Sequence, residues 1–134
     1  MIHRKLQSVI EGNLFKGKAI ILIGARQVGK STLFNQIIKE RKEAVLTLNC
    51  DVPEVKEMLT NINTPELKML IGSNTIVVID EAQRVPEIGL TLKRITDNFV
   101  NVQLLVTGSS SFELQSNLNE PLTGRKYEYH LYPI

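Results

Sequence analysis

Gly24-Ala25-Arg26-Gln27-Val28-Gly29-Lys30-Ser31 decides how the rest of this 134-residue chain is read. Two glycines bracket four residues, and a lysine and a hydroxyl residue follow, which is the pattern of a phosphate-binding loop. Ala19-Ile20-Ile21-Leu22-Ile23, just ahead of it, is a short apolar run rich in β-branched residues and predicts a buried strand. Just behind it, Leu33, Phe34, Ile37 and Ile38 fall on one face of a helix running to about Arg41. Taken alone, the loop could be a glycine-rich turn before an ordinary helix. Strand, glycine loop and helix in this order argue for the phosphate-binding reading.

Glycines at 24 and 29 let the backbone turn tightly and approach an anion with no Cβ in the way. Successive N–H groups then point at the phosphates, and the helix beginning near Lys30 adds its positive dipole end. Lys30 is expected on the β- and γ-phosphates, and the Ser31 hydroxyl on Mg²⁺. The predicted nucleotide-binding set is Gly24, Ala25, Arg26, Gln27, Val28, Gly29, Lys30, Ser31 and Thr32.

The length suits one domain, residues 1–134. With 43% hydrophobic and 22% charged residues the composition is that of an ordinary globular protein. A net charge of +2 is too small to argue for a nucleic-acid or membrane surface. The basic groups His3-Arg4-Lys5 and Lys39-Glu40-Arg41-Lys42 read as solvated faces. Cys50 is the only cysteine, so no internal disulfide can form. It lies at a predicted strand end with no His or Asp partner in evident catalytic relation, and reads as packing. The N-terminus carries no signal-peptide pattern, and no apolar run reaches the length of a membrane span. A cytoplasmic protein with no membrane partner is expected.

Helical and strand patterns alternate along the chain, which predicts an α/β domain with a parallel sheet. Residues 3–14 form an amphipathic leading helix, with Leu6, Val9, Ile10 and Leu14 on one side. Residues 44–49 read as a second strand, and Asp51 with Pro53 as a helix start. Two short helices follow over 54–72, broken around Asn61-Ile62-Asn63-Thr64-Pro65 and closed by Gly72. Residues 75–79 are a third strand, apolar without interruption from Ile76 and therefore buried on both faces. Pro86 opens a helix with Ile88, Leu92, Ile95 and Phe99 on one face. Residues 102–106 are a fourth strand, 107–111 a turn, 112–119 a short helix and 127–132 a last strand.

Ile76-Val77-Val78-Ile79-Asp80-Glu81 has the form of a Walker B strand. Acidic residues at the C-terminal edge of a buried strand lie where open α/β sheets bind ligands. Asp80 is expected to hold Mg²⁺ opposite Ser31, and Glu81 to orient and deprotonate an attacking water. Without the phosphate loop, the pair would read as a simple helix cap. Thr107 ends the strand expected between the first and third, where a hydroxyl can contact the γ-phosphate or the water; Ser109 is a second candidate. Plain turn chemistry is the competing explanation for both. Gln83 and Arg84 either link the acidic pair to a neighbouring group or are solvated loop residues. Arg26, Arg84 and Arg125 are candidates to neutralise transition-state charge, Arg125 first among them and supplied from a neighbouring subunit.

Gly24-Ala-Arg-Gln-Val-Gly-Lys-Ser-Thr-Leu33, Asp80-Glu-Ala-Gln83, Leu105-Val-Thr-Gly-Ser-Ser-Ser111 and Leu122-Thr-Gly-Arg125 together resemble the AAA-type prokaryotic ATPases that carry a C-terminal domain of uncharacterised function. The resemblance covers nearly the whole chain. It implies an ASCE-type P-loop NTPase fold with a five-stranded, mainly parallel sheet in order 5-1-4-3-2 and helices on both faces. It also implies ATP as the nucleotide and Glu81 as the hydrolytic base. The family continues beyond its Gly-Arg motif into a second domain, so these 134 residues are expected to be the N-terminal part of a longer protein.

The leading functional expectation is Mg²⁺-dependent ATP binding and hydrolysis that drives a conformational change in an attached or partner domain. Glu81 beside Asp80 favours this over passive binding. A nucleotide-dependent switch or DNA-linked regulator with little turnover is the alternative, and a homo-oligomer is compatible with either. A small-molecule kinase ranks lower, because no arginine-rich lid follows the fourth strand. A GTPase ranks low too, because no Asn-Lys-x-Asp guanine-reading sequence occurs.

Overall fold

The computed structural model describes residues 4–25, 29–109 and 121–131. The expected helix over 112–119, the end of the turn at Ser110-Ser111, and Arg26, Gln27 and Val28 lie outside the described residues.

The elements are α1 (Arg4–Gly12), β1 (Ala19–Gly24), α2 (Lys30–Lys39), β2 (Val45–Asn49), α3 (Pro53–Leu59), α4 (Thr64–Ile71), β3 (Ile76–Asp80), a 3₁₀ turn (Ala82–Arg84), α5 (Ile88–Asn98), β4 (Gln103–Gly108) and β5 (Lys126–Leu131). The strands form one sheet in the order β2-β3-β4-β1-β5. Read from the other side this is 5-1-4-3-2, the order expected, and every pairing is parallel. Ile20 and Val78 both pair with Leu105, which fixes β4 between β1 and β3.

Alternate residues of the central strands feed two separate cores. Ile21, Ile23, Val77, Ile79, Leu104 and Val106 pack with Leu59 of α3, Leu67 and Ile71 of α4, and Ile88, Leu92 and Ile95 of α5. Ile20, Leu22, Ile76, Val78 and Leu105 pack on the opposite face with Ile10 of α1 and with Leu33, Phe34 and Ile37 of α2. Helices therefore cover both faces. The unbroken apolar runs follow from this, since neither face of β1, β3 or β4 meets water.

Boundaries shift where local chemistry competes with periodicity. The break between α3 and α4 is a capping box: Asn63 Oδ1 accepts from the Glu66 N–H at 2.8 Å, and the Asn63 N–H donates to Glu66 Oε1 at 3.0 Å. Gly72 ends α4 with φ 57°. Pro86 does not open α5. Glu87, in the left-handed region at φ 52°, intervenes and the helix begins at Ile88. The 3₁₀ turn at Ala82–Arg84 has no counterpart in the sequence reading. Among the described residues, no helix is long and apolar enough to cross a membrane.

Because all strands run one way, the ends of β1 (Gly24), β3 (Asp80) and β4 (Gly108) meet at a single edge of the sheet. That edge is where α2 begins.

Candidate nucleotide-binding site

Gly29 has φ 84° and ψ 28°, a left-handed backbone that glycine adopts without penalty. Its carbonyl accepts the Leu33 N–H at 2.9 Å and so starts α2. Lys30, the first helical residue, is only 2% exposed. A buried ammonium must be given acceptors. Lys30 Nζ donates to the carbonyls of Gly24 at 2.7 Å and Gly108 at 2.8 Å, the last residues of two adjacent strands. The cation is thereby held at the mouth of the loop.

Ser31 and Thr32 are exposed on the first turn of α2. Ser31 Oγ donates to Asp80 Oδ2 at 2.7 Å, and Thr107 Oγ1 donates to the other carboxylate oxygen. Thr107 is fully buried and also accepts the Glu81 N–H at 3.0 Å. Its hydroxyl is thus engaged between the two acidic residues. Glu81 is 8% exposed and adopts φ 56°, ψ 47°, an uncommon conformation for a residue with a Cβ. Glu81 Oε1 accepts from Gln83 Nε2 at 2.9 Å, and Gln83 Oε1 accepts the Ser109 N–H at 3.1 Å. Lys30, Ser31, Asp80, Glu81, Gln83, Thr107 and Ser109 therefore converge at one end of the sheet.

The donor set suits Mg²⁺ with a phosphate ligand. Mg²⁺ takes hard oxygens and commonly uses one or two protein groups beside waters and substrate phosphates. Ser31 Oγ and Asp80 Oδ2 supply two such oxygens on adjacent elements.

Arg125 precedes β5, at the edge of the sheet opposite the loop. Its carbonyl accepts the Ala19 N–H at 3.0 Å, at the start of β1, and its guanidinium lies 3.2 Å from Asp97 Oδ1. The six-residue strand β1 separates it from Gly24 by roughly 16 Å. Arg125 therefore does not reach the loop of its own chain. A residue just ahead of a parallel strand lies at the edge opposite the strand's C-terminal end. Arg84 Nε pairs with Asp51 Oδ1 at 3.0 Å, joining the loops after β3 and β2. Both partners are substantially exposed, so the pair contributes little stability. The Cys50 thiol is buried, and burial, then the nearby Asp80, Asp51 and Glu81 carboxylates, push it up to about 12. Such a thiol is inert, in keeping with a packing role. Gln83 was singled out in sequence only as a possible link. Its hydrogen bonds depend on the left-handed Glu81, which no pattern announces.

A sequence model of the AAA domain family matches residues 16–134. The chain belongs to that family. Among known proteins, this AAA domain is 32% identical over 113 residues to the uncharacterized protein Rv2008c of Mycobacterium tuberculosis, covering 84% of this chain and 24% of that protein. It is 29% identical over 110 residues to the tRNA modification GTPase MnmE of Levilactobacillus brevis, covering 82% of this chain and 21% of that one. The chain thus spans about a quarter of the length of the curated relatives it matches. Among solved structures, the Walker-type ATPase PABY2304 of Pyrococcus abyssi superposes with a TM-score of 0.65 at 19% identity, covering 98% of this chain and 53% of that one. The Aeropyrum pernix ORC1 protein in complex with DNA gives 0.66 at 16% identity, covering 97% and 44%. At these identities the likeness concerns the fold, which is that of P-loop ATPases.

Proposed function

We propose that this AAA domain binds ATP with Mg²⁺ at the edge formed by β1, β3 and β4, hydrolyses it, and so drives a conformational change in an attached or partner domain. The observation that carries the reading is the pairing of buried Lys30, seated on Gly24 and Gly108, with Asp80 and Glu81 organised around Thr107. The main chain of the loop from Gly24 to Thr32 binds phosphate oxygens, and Lys30 neutralises the β- and γ-phosphates. Ser31 and Asp80 hold Mg²⁺, which when bound supplies charge neutralisation at the phosphates. Glu81 orients the attacking water and accepts its proton. Thr107 sets the orientation of Asp80 and of the Glu81 main chain. Arg125, at the far edge of the sheet, serves this chemistry only toward the nucleotide of a neighbouring copy. The proposed setting is cytoplasmic.

The test is calorimetric titration with Mg²⁺-ATP and Mg²⁺-GTP, followed by phosphate release. Parent protein should prefer ATP. Lys30→Ala should lose binding by about 100-fold or more, and Glu81→Gln should bind normally but cease to turn over. Unchanged affinity in Lys30→Ala would refute the phosphate-loop assignment. Slow turnover that no partner or DNA accelerates would favour the nucleotide-dependent switch instead.

A further inference from the structure

Glu81 is fixed at two points by different residues. Its main chain is held by Thr107, which accepts its N–H at 3.0 Å. Its carboxylate is held by Gln83, whose Nε2 donates to Oε1 at 2.9 Å. The orientation of the Gln83 carboxamide follows from its other end. Ser109 offers an N–H at 3.1 Å, which only the amide oxygen can accept, so the NH₂ group must face Glu81. One planar group therefore bridges the carboxylate at the end of β3 and the main chain beyond β4.

We propose that Gln83 is the positioning residue of the hydrolytic base, its carboxamide clamping the Glu81 carboxylate to the Ser109 main chain. The proposal rests on the reading of Glu81 as base. Thr107 constrains the backbone of Glu81 but leaves the side-chain torsions free. Without Gln83, the carboxylate would sample rotamers that point away from the attacking water. The reach is specific: Gln83 lies within the 3₁₀ turn Ala82–Arg84, which the left-handed Glu81 turns back beneath the carboxylate. An asparagine is one methylene too short to bridge both partners. The amide also donates without carrying charge, so it orients the carboxylate while leaving it free to take a proton.

The experiment compares Gln83→Ala, Gln83→Met, Glu81→Gln and the double variant Glu81→Gln/Gln83→Ala, with Mg²⁺-ATP affinity by calorimetry and steady-state hydrolysis. Gln83→Met keeps the length of the side chain and loses the donor without adding a charge. Both Gln83 variants should lower kcat about tenfold or more, with KM and Kd within about twofold of the parent. Gln83→Ala should add nothing in the Glu81→Gln background. Glu81→Gln inactive with Gln83→Ala at parental kcat would overturn the clamp alone. Glu81→Gln at parental turnover, or a parent with no turnover, would overturn the base reading and the clamp with it. Should Gln83→Ala fail to fold, Gln83→Met decides. An equal fall of its kcat and affinity would mark a structural role and overturn the proposal.

Discussion

Thr107→Val keeps the shape of the side chain and removes one hydroxyl from a fully buried position. That hydroxyl accepts the Glu81 N–H at 3.0 Å and donates to Asp80. Leaving the N–H buried without an acceptor costs roughly 1–3 kcal/mol. Loss of a hydrogen bond to a carboxylate costs roughly 1.5–3 kcal/mol. Asp80 is half-buried and retains Ser31, so the lower part of that second range applies. The left-handed Glu81, no longer pinned, relaxes and returns some of the loss. The expected net destabilisation is about 3 kcal/mol, a large share of the 5–15 kcal/mol typical of a domain. For a chain of this length that lowers Tm by about 10 °C. Thr107→Ser keeps both hydrogen bonds, loses one methyl and should cost only about 1 kcal/mol. Urea unfolding followed by circular dichroism, with calorimetric Tm values, measures both variants against the parent. Equal midpoints for the Val and Ser variants would refute the reasoning, because the hydroxyl would then contribute nothing.

Asn63→Ala removes the side-chain half of the α4 capping box, the Oδ1 acceptor of the Glu66 N–H, and should destabilise the domain by about 1 kcal/mol while leaving Mg²⁺-ATP affinity unchanged; an unshifted urea midpoint would count against the cap. Cys50 should resist a thiol reagent at pH 8 in the native protein and react promptly in denaturant, and rapid stoichiometric labelling of the native form would contradict its burial. Its folded pKa is raised above the unfolded value of about 8.5, so the neutral thiol's contribution is complete below that pH and is lost as pH climbs toward about 12. The urea midpoint should fall over that window, and fall less in Cys50→Ala. Arg125→Ala should leave the Mg²⁺-ATP Kd of dilute protein within about twofold, and a tenfold loss would contradict its place at the opposite edge of the sheet.

The central strands were legible because a strand buried on both faces must be apolar throughout, as Ile20–Ile23 and Ile76–Ile79 are. Which strand lies beside which is not a local property of any of them. The position of β4 between β1 and β3 follows from the phosphate-loop reading as a whole and from the sheet order the resemblance implies, not from the strand's own residues. Lys30 and Ser31 stood out in sequence because an anion needs glycines and a cation at fixed spacing, the acidic pair because it ends a wholly apolar strand, and the fold brings these four residues to one edge of the sheet. Local reading failed where one residue leaves the usual backbone regions. Glu81 and Glu87 both adopt positive φ without being glycine, so the 3₁₀ turn and the true start of α5 had no signature. The role of Gln83 was hidden with them. Arg125, just ahead of β5, lies at the edge of the sheet opposite the loop of its own chain, and its expected role was toward a neighbouring subunit.

The seat of Lys30 also has a kinetic meaning. Its two acceptors belong to strands 84 residues apart in sequence, Gly24 and Gly108, and the ammonium can settle only after β4 has docked beside β1. Contacts between such distant segments form late, after loop closure has been overcome. A nascent or partly unfolded chain could carry the entire glycine loop and still lack a fixed cation. Nucleotide affinity is therefore a property of the finished sheet, and ligand added during refolding should favour the native state by mass action without hastening its arrival.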